Sequence, residues 1–203
     1  MTRELTVGVT GASGAPVAVS FLQALLRQRE ISRLHLILSE QAHPVLAQEL
    51  GGSLKAGAAD LVAAHLNGDP RVTAWRNDQL GAAIASGSHA GGGMVIVPCS
   101  VNTLSAVACG RSDRLITRVA DVTLKERRPL LLAVRESPLS AAHLENMLRV
   151  TRNGAVVMPI CPAFYLKPDS IQELIDNFVL RILDHLGLAA DRGRRWGTGP
   201  RRQ

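Results

Sequence analysis

The chain has 203 residues, 46% hydrophobic and only 3% aromatic, and carries a formal net charge of +6. That length supports one sizeable core, and no run of 18 apolar residues exists to form a membrane span. Most of the charge lies in residues 191–203, DRGRRWGTGPRRQ, where five Arg face one Asp; with six aromatic residues in the whole chain and no basic stripe on a helix, the composition argues against nucleic-acid binding.

The first predicted element is a strand, LTVGVT (5–10), which begins directly after MTRE without the charged, apolar and small-residue regions of a signal peptide, so the expected location is the cytoplasm. It runs into GASGAP. Gly11 and Gly14 open backbone geometry closed to other residues, Ser13 is placed to cap the helix that follows, and Pro16 suits its first turn. Free N–H groups and the helix dipole then favour an anion. The GxGxxG dinucleotide fingerprint is absent, as is the Walker lysine. A short-chain dehydrogenase would need Tyr and Lys four residues apart, whereas Tyr165 is followed by Lys167.

A helix is expected over 16–28, then strand RLHLILS (33–39), helices over 41–50 and 57–66, and a short strand near 71–75. The stretch up to residue 93 holds seven Gly or Pro and reads as a long functional loop. MVIVPCS (94–100) is a buried strand, followed by helices over 102–110 and 114–125. PLLLAVRE (129–136), a helix over 140–152, AVVMPIC (155–161) and a helix over 170–186 complete the series. Apolar strands alternating with helices specify an α/β fold with a doubly wound parallel sheet. Residues 1–188 make one domain, and 189–203 a basic tail in which Trp196 is positioned to pack on a neighbour or stand free.

Ligands of such sheets bind beyond the carboxyl ends of the strands, which here read TGAS, SE, PCSVNT, RESP and CPAFY. Ser100, Val101, Asn102 and Thr103 offer hydroxyls and helix amides to a polar ligand. Arg135 and Glu136 stand side by side at a strand end, a cation for phosphate and a carboxylate for proton transfer. Lys125 is one of three lysines against twenty arginines, a compact ammonium inside LKERRP. The six histidines do not cluster along the chain, His143 and Glu145 fall on different helix faces, and HExxH is absent, so no metal site is expected. Cys99, Cys109 and Cys161 form neither a disulfide framework nor a CxxC pair, and Cys99 reads as a buried thiol.

From VGVTGASGA to RRWG the chain resembles the UbiX-type flavin prenyltransferases. TGASGA, SGS, PCSxxTL, RxADVxLKERRPL, VRExP, HLENM and PxFY follow in that family's order and spacing. The resemblance implies a Rossmann-like, flavodoxin-type fold assembled as a dodecamer with active sites between subunits. It also implies metal-independent transfer of a dimethylallyl group from dimethylallyl monophosphate to N5 and C6 of reduced FMN, yielding prenylated FMN for a UbiD-type decarboxylase. Carried over by position, Gly11, Ala12, Ser13, Ser39, Ser100, Val101, Asn102, Thr103 and Arg135 hold FMN. Ser86, Arg118, Lys125, Tyr165 and Arg181 gather around the prenyl phosphate; Glu136 is the acid/base, relaying a proton with Ser13; Glu49 lines the site. The chain departs from the family at PVAV after GASGA, where a Tyr-Gly pair is usual, and lacks the tryptophan some members place before SGS. PCSVNT is also similar to the PASANT-like loop of flavin-dependent cysteine decarboxylases, although their helical histidine has no counterpart beyond His65 and His89. A flavin-delivery subunit is the non-catalytic alternative.

Overall fold

The computed structural model describes residues 3–51 and 57–188; the predicted tail, including Trp196, lies outside the described residues. The elements run β1 (Arg3–Val9), α1 (Ala15–Leu26), β2 (Ile31–Leu38), α2 (Ala42–Leu50), α3 (Ala58–His65), β3 (Val72–Arg76), β4 (Met94–Cys99), α4 (Val101–Ala108), α5 (Leu115–Lys125), β5 (Leu130–Val134), α6 (Ala141–Arg152), β6 (Val156–Val157) and α7 (Ile171–His185). Single 3₁₀ turns occupy Ala83–Ala85 and Phe164–Leu166.

The six strands form one sheet in the order β3-β2-β1-β4-β5-β6, and every pairing is parallel. Without β3 this would be the flavodoxin order; β3 adds one strand at the β2 edge and makes it the Rossmann order. In both, the chain reverses its direction of winding between β1 and β4, leaving a crevice beyond their carboxyl ends.

Apolar strand residues alternate between two cores, as strand geometry requires. Leu5, Val7, Val9, Val95, Val97, Leu131 and Ala133 face the side covered by α1, α2, α3 and α7. Met94, Ile96, Cys99, Leu130, Leu132 and Val134 face the side covered by α4, α5 and α6. Phe21, Leu22 and Leu25 of α1 are fully buried, each contributing about 1.5–3 kcal/mol of transfer free energy. The double-sided burial is why these strands read as unbroken apolar runs rather than alternating ones.

The strand expected over 155–161 contracts to Val156–Val157. The amides of Met158 and Ile160 still donate to Leu132 and Val134 of β5, but Pro159 and Pro162 lack the N–H that a regular ladder needs. The loop expected after β3 is partly built in, since Ile84 and Ala85 of its 3₁₀ turn are buried against α5. Among the described residues, no helix is long and apolar enough to cross a membrane.

Candidate functional site

The crevice between β1 and β4 opens into a cleft of about 480 Å³. Its floor is tied together by Thr10, which follows β1: the Thr10 hydroxyl donates to the Pro98 carbonyl (2.8 Å) and accepts from the Ser100 amide (2.8 Å). Ser100 then caps α4, its Oγ accepting from the Thr103 amide at 3.3 Å. Among the described residues, none accepts from the amides of Val101 and Asn102, which open the helix toward the cleft. Ser39, just past β2, has its hydroxyl shut off from solvent with no hydrogen-bond partner. Arg135 and Glu136, just past β5, are exposed at the rim; Glu136 accepts from the Ser137 amide through Oε1 at 3.0 Å. Gly11, Ala12, Ser13, Ser39, Ser100, Val101, Asn102, Thr103, Arg135 and Glu136 therefore all line one cavity, although they come from four strand ends.

The turn after β1 differs from its sequence reading in one respect. Gly14, not Ser13, is the N-cap of α1, with φ of 129° and no side-chain cap of its own. The anion at this helix end is the protein's own: Glu49 Oε2 accepts from the amides of Gly14 (3.0 Å) and Ala15 (2.7 Å). Burial disfavours the charged Glu49 carboxylate, but hydrogen bonds from the Ser13 hydroxyl and those two amides, together with the Arg135 charge, outweigh it and hold the carboxyl below its usual range. The α1 amides that looked free for a phosphate are thus engaged, and the α4 N-terminus is the open one. A serine followed by glycine suggested the cap, but Glu49 is supplied from 35 residues away, a distance at which local pattern carries no signal. At Gly11 the requirement is space: a Cβ there would lie 2.5 Å from Gln41 Cβ and 2.8 Å from its carbonyl oxygen.

Sequence reasoning missed the opposite wall. Asn77, buried after β3, accepts the Leu115 amide through its carbonyl (2.7 Å) and the Ile116 amide through Oδ1 (3.0 Å), so it caps the N-terminus of α5. Its Nδ2 donates to Glu40 (3.0 Å), and Glu40 pairs with Arg114 at 3.6 Å. Glu40, Asn77, Arg111, Asp113 and Arg114 all line the cleft. The available signal was SDR at the start of α5 and an Asn just past an edge strand.

The five residues expected around a prenyl phosphate do not line this cleft within one chain. Ser86, Arg118 and Lys125 meet where the loop after the 3₁₀ turn lies on α5. Arg118 Nε donates to the Ala85 carbonyl (3.2 Å) and pairs with Asp121 (3.4 Å); Lys125 pairs with Glu126, and both pack against Gly87. Arg128 donates to the Gly87 carbonyl at 2.9 Å, and the hydroxyls of Ser86 and Ser88 are 2.8 Å apart. Tyr165 is 61% exposed, and Arg181 is exposed on α7, pairing with Asp184 at 3.2 Å.

One further expectation resolves differently. The histidines, dispersed along the chain, include a spatial pair: His35 and His89 rings pack edge to face at 5.5 Å beside Glu4, and the ligand atoms of these three lie within 4.8 Å of one another. Spacing could not show this, because the contacts join strand to strand and strand to loop. His143 of HLENM belongs to a capping box of α6, its Nδ1 accepting from the Ser140 amide while Ser140 Oγ accepts from the His143 amide. Cys99 is fully buried, and burial pushes its thiol up to about 12, so it is inert as read.

Comparison with known proteins shows the family and the fold. Residues 1–180 match the family model Flavoprotein. The flavin prenyltransferase UbiX of Pseudomonas aeruginosa is 44% identical over 201 residues, covering 96% of this chain and 94% of that one. The crystal structure of AnUbiX in complex with FMN and dimethylallyl pyrophosphate superposes with a TM-score of 0.88 at 40% identity, covering 98% of this chain and 100% of that one. A dodecameric FMN-dependent UbiX-like decarboxylase from Escherichia coli O157:H7 gives 0.86, also at 40% identity, over 96% and 99% of the two chains.

Proposed function

Because the chain belongs to the flavoprotein family and, within it, to the UbiX-type flavin prenyltransferases, we propose that it transfers a dimethylallyl group from dimethylallyl monophosphate to N5 and C6 of reduced FMN. The observation that supports this most is the convergence of Ser39, the α4 N-terminus, Arg135 and Glu136 on one switch-point cleft, whose volume falls within the ~300–1,000 Å³ usual for small-molecule sites. An unpartnered, solvent-shielded hydroxyl at Ser39 and unengaged amides at Val101 and Asn102 fit a phosphorylated polar ligand.

Reduced flavin, when bound, supplies the nucleophile. The chain's own residues do the rest. Gly11 leaves the room in which the β1 turn approaches Gln41. Ser39, Ser100 and the amides of Val101, Asn102 and Thr103 bind FMN with Ala12, Ser13 and Arg135. Breaking the allylic C–O bond develops negative charge on the phosphate and positive charge on the dimethylallyl carbon; Lys125, Arg118 and Arg181 stabilise the first, with Ser86 and Tyr165 as hydrogen-bonding partners. These five residues reach the cleft from neighbouring copies, which accounts for their absence from it in one chain; the assembly is a dodecamer. Glu136, with Oε1 engaged by the Ser137 amide, receives a proton at Oε2 and returns it through Ser13 to the leaving phosphate. Glu49 orients Ser13 and the first turn of α1 by the bonds described above. The reaction needs no metal, takes place in the cytoplasm, and its product serves a UbiD-type decarboxylase.

Anaerobic incubation with reduced FMN and dimethylallyl monophosphate releases phosphate and adds one C5 unit to the flavin mass. Unchanged flavin, with a known prenyltransferase active in parallel, refutes the proposal. Glu136→Gln separates catalysis from delivery: FMN binding persists, and transfer falls by about 10²–10⁴-fold.

A further inference from the structure

The loop that carries Ser86 is fastened to the sheet at a place none of the proposed chemistry uses. His89 inserts its ring against His35 of β2, edge to face at 5.5 Å, and brings its Nε2 to 3.3 Å from Glu4 Oε2 on β1. That Nε2 is buried and makes no hydrogen bond among the described residues; Glu4 is the polar group it faces. His35 itself is buried, with Nε2 3.2 Å from the same Glu4 oxygen and Nδ1 3.1 Å from the Trp75 indole nitrogen of β3.

Proton inventory orders these contacts. An indole N–H can only donate, so His35 Nδ1 must be the acceptor and its single proton stays on Nε2, from which it donates to Glu4. A second proton on His35 would set two N–H groups head to head, and burial holds the ring below the usual imidazole range. The same constraint opposes a metal ion. A histidine that ligates through Nε2 donates its Nδ1 proton to an acceptor, whereas here Nδ1 faces a donor. What remains is a directed chain, Trp75 to His35 to Glu4, ending in a carboxylate oxygen that His89 Nε2 approaches to 3.3 Å without forming a hydrogen bond. The backbone follows the same seam: the Gly92 amide donates to the Glu4 carbonyl at 2.7 Å, and the Thr6 amide to the Gly93 carbonyl at 3.1 Å.

We infer that His89 is a positioning residue, whose ring packing on His35 and approach to Glu4 set where the Ser86–Gly87–Ser88 segment lies against Lys125 and Arg128. Its effect on turnover rests on the function proposed above; its effect on the loop does not. The loop turn itself is short, with the His89 amide donating to the Ser86 carbonyl at 3.2 Å, so displacement of the His89 ring is passed directly to Ser86.

The test compares full-length wild type with His89→Leu, which keeps apolar bulk but sets no polar atom against Glu4, and His89→Gln, which restores a polar group there. Hydrogen exchange of amides 86–91 rises about tenfold in His89→Leu and returns toward wild type in His89→Gln. In the same proteins KM for dimethylallyl monophosphate rises about tenfold in the Leu variant, with kcat within about twofold and FMN affinity unchanged. Exchange at wild-type rates in His89→Leu overturns the inference. So does calorimetric titration with zinc chloride if wild type binds the metal and His89→Leu does not, because the cluster is then a metal centre. Altered exchange, rescued by Gln, in a protein that shows no transfer at all supports the loop role and refutes the proposed function alone.

Discussion

Replacing Glu49 tests whether an internal carboxylate, rather than a ligand, completes α1. Glu49→Ala removes the carboxylate oxygen that accepts two charge-assisted bonds, from the amides of Gly14 and Ala15 at 3.0 and 2.7 Å. Because Glu49 is exposed, the loss belongs at the modest end of capping and helix-dipole effects, about 1–1.5 kcal/mol in total. For a chain of 203 residues that is a fall in Tm of about 3–5 °C. Glu49→Gln keeps a carbonyl acceptor but no charge and should lose about half as much. The sign with pH follows from the carboxyl's depressed value: the stabilisation is complete above the unfolded glutamate value, ~4.3, and disappears as pH falls through the lower value of the folded protein. Differential scanning calorimetry of flavin-free protein at pH 7, 5 and 3 should therefore show a gap between wild type and Glu49→Ala that closes on acidification. A Tm within 1 °C of wild type at pH 7, or a gap undiminished at pH 3, refutes the assignment.

Ser39→Ala deletes a hydroxyl that has no partner in the protein, so Tm is unchanged or higher while Kd for FMN, read by fluorescence quenching, rises about five- to tenfold; equal affinity would remove Ser39 from the binding set. Gly11→Ala forces a Cβ to within 2.5 Å of Gln41 Cβ, which costs about 1–3 kcal/mol and weakens FMN binding together with thermal stability; an alanine variant of wild-type stability and affinity would show that the close approach is not required. Alkylation with iodoacetamide at pH 8 modifies the exposed Cys109 and Cys161 and spares Cys99, whose thiol burial raises to about 12; mass spectrometry finding Cys99 labelled in folded protein would contradict its burial.

Much of the cleft was legible in the amino-acid sequence because its residues occupy positions that topology makes equivalent. In a doubly wound sheet every loop beyond a strand's carboxyl end faces the same side, so Ser39, Ser100 and Arg135 could be grouped without knowing the strand order. Asn77 escaped because its role, accepting the first two amides of α5 while its side-chain Nδ2 donates to Glu40, belongs to a loop with little periodicity. Glu49 was read as a wall of the site, and its engagement with α1 depended on how α2 packs rather than on any local pattern.

The sequence by itself determined the alternation of buried strands and helices, the parallel sheet and the chemical character of each strand end, since these follow from hydrophobic periodicity and from glycine, proline and hydroxyl placement near neighbours in the chain. Only the tertiary structure decided which groups share a proton or an amide. It assigned the α1 N-terminus to Glu49, left the α4 N-terminus open, placed Ser86, Arg118 and Lys125 outside the cleft of a single chain, and brought His89 onto His35 and Glu4. The physical reason is that a hydrogen bond is set by ångströms and angles between residues 30 or more positions apart, and sequence spacing fixes such distances only within one helix or strand.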